Sequence, residues 1–357
     1  MSPLLIYGAN GYTGALIARR AAAKGVAVVL AGRDARAVAA LAGEVGLPHR
    51  VFGLDDAGAI AVALQGAGAV LNCAGPFSRT AAPLADACLR ARVHYLDITG
   101  EIEVLEALAG RDAEARAAGV TLLPAAGFDV VPSDCLLAHV AGRLPSATQL
   151  TLAFTVGTRM SRGTALTSIE NAHGGGLIRR DGKLVRVPSG WRTRRIDFGE
   201  GPRSAITIPW GDVATATRTT GIGNVEVYVA LPLAARVGLR LGRGLGPLLR
   251  SPAVKRWLGA RVHKRPPGPS ADERARRASH LWAEARDDRD ETVRARLRTP
   301  EAYELTSWTA LDLALRAARG ELPIGFQTPA RACGADYILQ FPGVAREDVV
   351  VHSAPMN

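Results

Sequence analysis

Residues 8–14 read Gly8-Ala9-Asn10-Gly11-Tyr12-Thr13-Gly14 (GANGYTG), and they directly follow a short apolar run at residues 3–7. This is the glycine spacing of the loop that joins the first strand of a dinucleotide-binding fold to its first helix. Gly8 allows the sharp turn, Gly11 lets backbone N–H groups reach a diphosphate, and Gly14 allows the helix to pack closely on the sheet. The helix start favours an anion, because its N–H groups are unpaired and its dipole is positive there. We predict that residues 8–14 bind a dinucleotide; the alternative is a tight turn without a ligand.

The first 125 residues alternate short apolar runs with longer Ala- and Leu-rich segments. Six runs are candidate strands: residues 3–7, 26–31, 49–52, 69–73, 95–98 and 121–124. Five segments with helical spacing lie between them: residues 13–24, 35–45, 57–65, 81–91 and 104–118. This alternation, with strands apolar on both faces, is typical of a parallel sheet covered by helices on each side. The predicted fold class is α/β, with a Rossmann-type doubly wound parallel sheet.

The sequence changes its pattern after about residue 130. Here β-leaning runs are separated by Gly-rich stretches, at residues 149–157, 204–209, 224–231, 280–286 and 291–298. We therefore predict a second α+β domain with a mostly antiparallel sheet over residues 131–325, after a first domain over residues 1–130. Pro300-Glu301 begins an amphipathic helix that ends at Gly320. Thr328-Pro329 is an N-cap followed by a proline in the first turn, which predicts a last helix to about Phe341.

The end of the second predicted strand indicates which dinucleotide binds. An acidic residue there would hydrogen-bond the ribose hydroxyls of NAD, but this chain has Ala31-Gly32-Arg33. A guanidinium holds a 2′-phosphate with two hydrogen bonds, whereas a carboxylate repels it. We therefore predict NADP(H) rather than NAD, with Arg36 as a second candidate contact. The alternative is that Arg33 is a solvated surface residue next to Asp34, the N-cap of the following helix.

A polar cluster, Asn72-Cys73-Ala74-Gly75-Pro76-Phe77, follows the fourth predicted strand. Ligands of open α/β sheets bind at this edge, so we predict that Asn72, Ala74 and the Gly75-Pro76 turn contact the ribose or nicotinamide. Phe77 is a candidate wall for the ring. The alternative for Asn72 is a turn-capping amide. Cys73 has no flanking His or Lys that would lower the pKa of its thiol, so we expect a buried residue rather than a nucleophile.

The fifth and sixth predicted strands end in protonatable side chains. Tyr95, Asp97 and Glu101 follow the fifth strand, and Asp129 follows the sixth. Hydride chemistry requires that a proton is supplied or removed, so these four side chains are the candidate catalytic residues. The alternative is that Asp97 caps a turn, and that Ser133 or Asp134 caps the next helix. The Tyr-x-x-x-Lys pair of short-chain dehydrogenases is excluded, because none of the six tyrosines has a lysine four residues later.

The net charge of +11 is concentrated in one segment. Residues 236–265 contain nine basic residues and no acidic one. Three interpretations of the segment 233–265 compete: a solvated surface, a surface for anionic lipid head groups, or a docking surface for an acidic acyl carrier protein. Nucleic acid is not an expected partner, because the sequence contains no recognition module for it.

The four cysteines, at positions 73, 88, 135 and 333, never come closer than 15 residues, so no metal site is predicted and reduced thiols are expected. The start of the chain lacks the pattern of a secretory signal. No stretch approaches the roughly 20 apolar residues that span a bilayer. A cytoplasmic protein is therefore expected, and a homodimer is compatible with the sequence.

The motifs together resemble the saccharopine dehydrogenase-like oxidoreductases. The resemblance is carried by GANGYTG, AGR (31–33), NCAGPF (72–77), YLDITGE (95–101) and GFDVVPSD (127–134), and continues through SRGTALTS (161–168), GPSADERAR (268–276) and GFQTPA (325–330). More narrowly, the chain is similar to the bacterial branch that includes the trans-acting enoyl reductases of lipid and polyketide assembly. The loop at 161–164 departs from the Gly-Gly-Thr pattern of that branch.

This resemblance implies an NADP(H)-binding domain at residues 1–130, completed by a C-terminal helix at 326–357, and a cleft between the two domains. It also implies an NADPH-dependent reductase that acts on a C=C bond of an acyl (enoyl) substrate, either a small molecule or an acyl thioester. Other branches of the family reduce a C=N or C=O bond of an amino-acid-like substrate. A regulator that binds NADPH without turnover is the third alternative.

Overall fold

Seven parallel strands form the first sheet of the structure, a computed structural model that describes residues 2–155, 157, 159–171, 174–241 and 251–349. The strands are β1 (Leu4–Tyr7), β2 (Val28–Gly32), β3 (His49–Val51), β4 (Ala69–Asn72), β5 (His94–Asp97), β6 (Thr121–Leu123) and, much later in the chain, β15 (Gly325–Phe326). Their order is β3-β2-β1-β4-β5-β6-β15. The order reverses at β1, which is the switch point where such sheets bind ligands.

Helices on both faces bury the first sheet, and every residue of β1, β2 and β4 is buried. These helices are α1 (Tyr12–Ala23), α2 (Ala35–Val45), α3 (Ala57–Ala63), α4 (Phe77–Ala91), α5 (Ile102–Ala109) and α6 (Asp112–Ala118). The register places Tyr7 beside Ala31 and Asn72, and Asn72 beside Asp97. The predicted site residues that end these strands therefore share the carboxyl edge of the sheet.

A second sheet of nine strands lies within the described residues. Its strands are β7 (Gln149–Thr155), β8 (Gly176–Arg180), β9 (Lys183–Val187), β10 (Thr193–Asp197), β11 (Pro202–Thr207), β12 (Asn224–Ala230), β13 (Ala278–Arg286), β14 (Thr292–Pro300) and β16 (Ala345–Val349). Only β7 and β12 pair in parallel, and the remaining pairs are antiparallel. The predicted fold class, a doubly wound parallel sheet with a second, mostly antiparallel α+β unit, is confirmed.

The remaining helices lie after residue 130. They are α7 (Val131–Arg143), α8 (Arg162–Asn171), α9 (Asp212–Thr220), α10 (Leu233–Leu241), α11 (Pro252–His263), α12 (Ala271–Ala275), α13 (Ala302–Ala318), α14 (Pro329–Cys333) and a 3₁₀ helix (Tyr337–Gln340). Helix α13 packs on α1, on strands β1, β4 and β5 of the first sheet, and on β14 of the second. It therefore connects the two sheets and brings its own first turn to the edge where the glycine loop lies.

The C-terminal region differs from its prediction. Gly325–Phe326 is a strand beside β6 rather than part of a helix. The helix that begins at the predicted N-cap Thr328 ends at Cys333, because the backbone leaves the helix at Gly334, whose φ is +86°. Residues 345–349 pair with β14 in the second sheet, and residues 350–357 lie outside the described residues. The boundaries at 130 and 325 stay a prediction.

Candidate active site

The glycine loop has the geometry that a dinucleotide site requires. Gly8 has a φ of +74°, and a Cβ there would lie 2.7 Å from the backbone nitrogen of Ala74. A Cβ at Gly14 would overlap the carbonyl oxygen of Gly8, so Gly14 allows the close packing of α1. Gly11 is the N-cap of α1, no side chain caps this helix, and its first turn contains no acid. The start of α1 is therefore open to an anionic ligand.

Arg33 lies immediately after β2 at the same edge, and its side chain is exposed. Within the described part of the chain, no carboxylate pairs with it. Asp34 accepts a hydrogen bond from the N–H of Ala37 and so caps α2. An unpaired guanidinium beside an uncapped helix start fits a nucleotide that carries both a diphosphate and a 2′-phosphate. The contact to the 2′-phosphate stays a prediction for Arg33 and Arg36.

Asn72 is fully buried and its amide is used by the turn that follows β4. Its oxygen accepts from the N–H of Ala74 at 3.0 Å, and its nitrogen donates to the hydroxyls of Thr80 and Tyr95. This geometry favours the turn-capping alternative for Asn72. The exposed Gly75 and the half-buried Ala74 and Pro76 remain as the parts of the turn that a nucleotide could touch. Phe77 is buried as the first residue of α4.

Glu101 also has a capping role. Its carboxylate accepts hydrogen bonds from the N–H groups of Phe77 at 2.8 Å and Ser78 at 3.0 Å. It thereby caps α4, although it comes from the loop after β5. Burial raises the pKa of the Glu101 carboxyl, and the two N–H donors act in the opposite direction. Both oxygens are engaged, so Glu101 stabilises the turn at residues 72–77.

Tyr95 and Asp97 form a buried, hydrogen-bonded pair beneath the loops that follow β5 and β6. The Tyr95 hydroxyl donates to Asp97 Oδ2 at 2.9 Å, and Asp97 Oδ1 accepts from the N–H groups of Thr99 and Ala125. Neither side chain is exposed. Burial raises the pKa of Asp97 to about 6. These hydrogen bonds satisfy both groups and hold the ends of β5 and β6 together. The two side chains are therefore engaged with the protein rather than with a substrate.

A cavity of about 130 Å³ lies between the two sheets, beside the start of α1. Its lining surface is mainly apolar, although four threonines, one serine, one tyrosine and one acid also contribute polar groups. The lining residues are Thr13, Ile98, Gly127, Phe128, Asp129, Phe154, Thr155, Gly157, Met160, Thr164, Trp210, Ser279, Ala302, Tyr303 and Thr306. Asp129 is the one charged residue among these described lining residues. Of the four predicted catalytic residues, only Asp129 lines this cavity.

The Asp129 carboxyl lies over the backbone of Gly100, where a Cβ would come within 2.7 Å of Asp129 Oδ2. The two loops with predicted acidic residues therefore do meet. Within the described residues, no hydrogen-bond donor reaches this carboxyl. Burial alone raises the pKa of Asp129 to about 6. An acid without partners in an apolar cavity is available for proton transfer.

Tyr303, in the first turn of α13, is the polar cavity residue that the sequence analysis did not identify. Its hydroxyl oxygen accepts from the N–H of Ser161 at 2.7 Å and lies 3.1 Å from the hydroxyl of Thr164. The negative charge of Asp129 and burial both raise the pKa of Tyr303, burial contributing more. The SRGTALTS resemblance at residues 161–168 was the available signal, since it contains both hydrogen-bond partners of Tyr303.

Tyr12 links the glycine loop to this part of the site. Its ring lies edge-on to the ring of Tyr303, with 5.1 Å between centroids. Its hydroxyl donates to the carbonyl of Pro269 at 2.6 Å and accepts from Arg274 at 3.0 Å. Gly268 allows this contact, because a Cβ there would overlap the Tyr12 ring. The 268–276 motif therefore packs directly on the glycine loop.

A larger groove, of about 550 Å³, lies on the outer face of the second sheet. Four of its charged side chains pair with each other: Arg194 with Glu284 at 2.7 Å, and Arg192 with Glu226 at 2.8 Å. All of its described lining residues fall between positions 149 and 286, so neither the glycine loop nor Asp129 contributes. The smaller apolar cavity is therefore the candidate active site.

Other predicted features concern the whole chain. Cys73, Cys88, Cys135 and Cys333 are free thiols, and burial raises the pKa of the Cys73 thiol. The described residues contain no group of His, Cys, Asp or Glu side chains arranged to hold a metal ion. In the same residues, no helix combines the length and hydropathy needed to cross a bilayer. Of the basic segment 233–265, residues 242–250 lie outside the described residues.

Comparison with known proteins finds a domain family that matches the part of the chain containing β1 to β6. Residues 4–123 match the saccharopine dehydrogenase NADP binding domain. A trans-acting enoyl reductase of Mycobacterium leprae is 33% identical over 139 residues, covering 37% of this chain and 33% of the relative. A trans-acting enoyl reductase of Mycobacterium ulcerans is 28% identical over 148 residues, covering 39% of this chain and 35% of the relative. The chain therefore matches about a third of the length of these curated relatives.

The fold of the whole chain is similar to that of a solved saccharopine dehydrogenase (L-Glu forming) from Saccharomyces cerevisiae. The TM-score is 0.66 at 10% identity, and the match covers 98% of this chain and 100% of the other. At this identity the likeness concerns the fold. The family match and the fold agree with the glycine loop, the uncapped start of α1 and the unpaired Arg33. Residues 4–123 thus match the NADP-binding domain of the saccharopine dehydrogenase family, and this match agrees with the glycine loop in indicating NADP as the cofactor.

Proposed function

We propose that this chain is an NADPH-dependent reductase of a carbon–carbon double bond in an acyl (enoyl) substrate. The observation that carries the proposal is the cavity beside the glycine loop, whose surface is mainly apolar and whose polar side chains are hydroxyl groups and one acid. An acyl chain is apolar and fits such a lining. The names of the curated relatives support the same substrate class.

The same lining argues against the second candidate, reduction of a C=N or C=O bond in an amino-acid-like substrate. Such a substrate carries a carboxylate, which proteins bind with arginine, lysine or several N–H donors. The described residues around the cavity include no arginine or lysine. An amino acid carboxylate would there lie beside the Asp129 carboxyl, which repels it when ionised.

When bound, the nicotinamide supplies a hydride to the β-carbon of the enoyl group. The chain must then stabilise negative charge on the acyl carbonyl oxygen and deliver a proton to the α-carbon. Tyr303 is the proposed hydrogen-bond donor to the carbonyl oxygen, since the residue lines the cavity and its hydroxyl is held by Ser161 and Thr164. Asp129 in its protonated form is the proposed proton donor. Tyr95, Asp97 and Glu101 act in this proposal by shaping the edge of the sheet.

The acyl group is proposed to arrive as a thioester, either as a small molecule or through a partner on the segment 233–265. An acidic carrier protein and an anionic membrane are the two partners that its charge suits. A homodimer remains compatible with this proposal.

The test is NADPH consumption by the purified chain with a trans-2-enoyl thioester, followed by identification of the product. We expect a saturated thioester in a one-to-one ratio with oxidised NADPH. The Asp129→Asn variant should lose this activity, whereas Asp288→Asn, which changes an exposed acid, should keep it. Turnover only with a 2-oxo acid and ammonium would support the amino-acid candidate instead. Tight NADPH binding without turnover of either substrate would support a regulator.

A further inference from the structure

One exposed face of α11 is both cationic and aromatic. It comprises the residues Ala253, Arg256, Trp257, Ala260, Arg261 and Lys264, and we call it the Trp257 face. The spacing of three and four residues places them on one side of the helix. The opposite side packs inward, with Gly259 and Val262 buried. The cationic side therefore projects away from the protein.

Trp257 is 55% exposed, and the Arg261 guanidinium lies 3.9 Å from the centroid of its ring. The same segment also exposes Leu233 and Val237, which lie one turn apart on α10. Tryptophan, leucine and valine on the surface, interleaved with arginine and lysine, are typical of helices that bind at a membrane interface. A surface that only faces solvent would need the cationic side chains but not the exposed apolar ones.

The charges of the Trp257 face are free to meet an external anion. Among the described residues, no carboxylate pairs with Arg256, Arg261 or Lys264. The sequence has no acid between positions 236 and 265 that could neutralise them. A cluster of unpaired cations next to an exposed tryptophan ring matches the anionic head groups and the acyl layer of a bilayer at the same time.

This face lies on the outer side of the elements that line the cavity. Helix α11 packs on α8, and Gly259 approaches Leu166, where a Cβ would lie 3.6 Å from the leucine side chain. On α8, Thr164 lines the cavity, and the hydroxyl of Thr167 lies 3.8 Å from the position of a Cβ at Gly75. A surface bound to the Trp257 face would therefore be one helix layer away from the candidate active site.

We propose that the Trp257 face docks on an anionic phospholipid bilayer, from which an acyl substrate enters the cavity. The second part rests on the proposed function, and the docking does not. An acidic carrier protein would also attract the cations. The exposed Trp257 favours the bilayer, since an acyl layer can bury its ring whereas a surface of carboxylates cannot.

The test is flotation of the full chain with vesicles, without NADPH or acyl substrate. The vesicles contain phosphatidylcholine alone, or phosphatidylcholine mixed with phosphatidylglycerol. We expect binding to the mixed vesicles only, and weaker binding as salt rises. The double variant Arg256→Glu/Arg261→Glu should bind at least tenfold more weakly, because each cation near an anionic surface contributes about fivefold. The matched control Arg289→Glu/Arg298→Glu, with the same charge change at exposed residues of the second sheet, should bind like the unmodified chain.

A second readout reports on Trp257 itself. Brominated lipid in the mixed vesicles should quench part of the tryptophan fluorescence, and Trp257→Phe should abolish that part while the four other tryptophans remain. Equal NADPH binding by all variants verifies that they are folded. Equal vesicle binding by the charge-reversed variant and the control would overturn the proposal. Binding to an acidic carrier protein but not to anionic vesicles would also overturn it. Because flotation needs no turnover, a failed reductase assay leaves this result unaffected.

Discussion

Two carboxylic acids at the edge of the first sheet, Asp97 and Asp129, have the same direction of pKa shift and different surroundings. Burial raises the pKa of each to about 6. Asp97 accepts three hydrogen bonds, from Tyr95, Thr99 and Ala125, whereas no donor among the described residues meets Asp129. A raised pKa alone therefore does not identify the reactive acid. The absence of partners and the position in the cavity favour Asp129.

In kinetics, Asp129→Asn should reduce kcat with an enoyl thioester at least about 100-fold, because a positioned general acid contributes two to four orders of magnitude. The unmodified chain should lose kcat as the pH rises through about 6, since the protonated carboxyl is the active form. The residual rate of the variant should not follow that profile. The measurement is kcat against pH at saturating substrate. A variant with unchanged kcat and the same pH profile would remove Asp129 from the chemistry.

Stability provides a check on Asp129 that needs no substrate. Its folded pKa lies above the ordinary value of 3.8, so the ionised form is disfavoured in the fold. The neutral form's contribution to stability is complete below the ordinary pKa and is lost as the pH rises to about 6. Relative to the unmodified chain, Asp129→Asn should therefore gain about 1 to 2 kcal/mol in free energy of unfolding between about pH 4 and pH 8. Urea unfolding at both pH values measures this gain; Asp288→Asn should show none. An equal difference at both pH values would contradict the burial of Asp129.

Arg33 allows a separate test of cofactor choice. Arg33→Ala should raise the KM for NADPH by about 10- to 100-fold, since a charge-assisted contact contributes roughly 1.5 to 3 kcal/mol. The KM for NADH should change little, because NADH has no 2′-phosphate. Arg90→Ala, at an exposed position on α4, serves as the control. Parallel losses for both dinucleotides would show that Arg33 supports the fold rather than the phosphate.

The sequence could not separate Asp129 from the other three candidates, because all four lie at or just after the end of a buried strand. What separates them is which N–H groups reach each side chain, and those come from distant loops. Glu101, for example, meets the N–H groups at the start of α4. Tyr303 was missed because its helix returns to α1 from far along the chain. Only the packing of α13 brings it beside Tyr12.

At the level of elements, the first six strands could be predicted because, except for the partly exposed β3, each is a buried apolar run. The helix predicted at 104–118 is wrong in one respect, because the structure divides it into α5 and α6 at Gly110 and Arg111. β1 and β4 begin and end within one residue of their predicted limits. The hairpin β8–β9 and strand β10 were missed, since their arginines and partly exposed residues hide the strand pattern. β15 has two residues and no local signal, and its pairing with β6 depends on the tertiary fold.

The glycine loop allows a matched pair of substitutions within one element. Gly14→Ala should lower the free energy of unfolding by about 1 to 3 kcal/mol, because its Cβ would overlap the Gly8 carbonyl and push α1 from the sheet. Gly11→Ala should be less destabilising, since its Cβ would lie 3.2 Å from the same oxygen, a tight contact that a shift of a few tenths of an ångström relieves. It should still weaken NADPH binding, because the methyl group projects at the open helix start. Thermal unfolding with and without NADPH measures both effects. Equal destabilisation by the two variants would contradict this division of roles.

At the scale of the molecule, the cavity exists only where the two sheets meet. Thr13 comes from α1, Phe154 from β7, Thr164 from α8 and Tyr303 from α13. The contact of Tyr12 with Pro269 and Arg274 ties the cofactor loop to the second half of the chain. The family match accounts for the cofactor-binding half, and the cavity supports the substrate class. We therefore predict that one site holds both the dinucleotide and the acyl group.

The most direct measurement of this central claim is isotope transfer from NADPH deuterated at the reactive position of the nicotinamide ring. With an enoyl thioester, we expect one deuterium at the β-carbon of the saturated product, and a solvent-derived hydrogen at the α-carbon. Mass spectrometry and NMR of the product locate both. A product without deuterium at the β-carbon, or the absence of any reduced thioester while NADPH binds tightly, would contradict it.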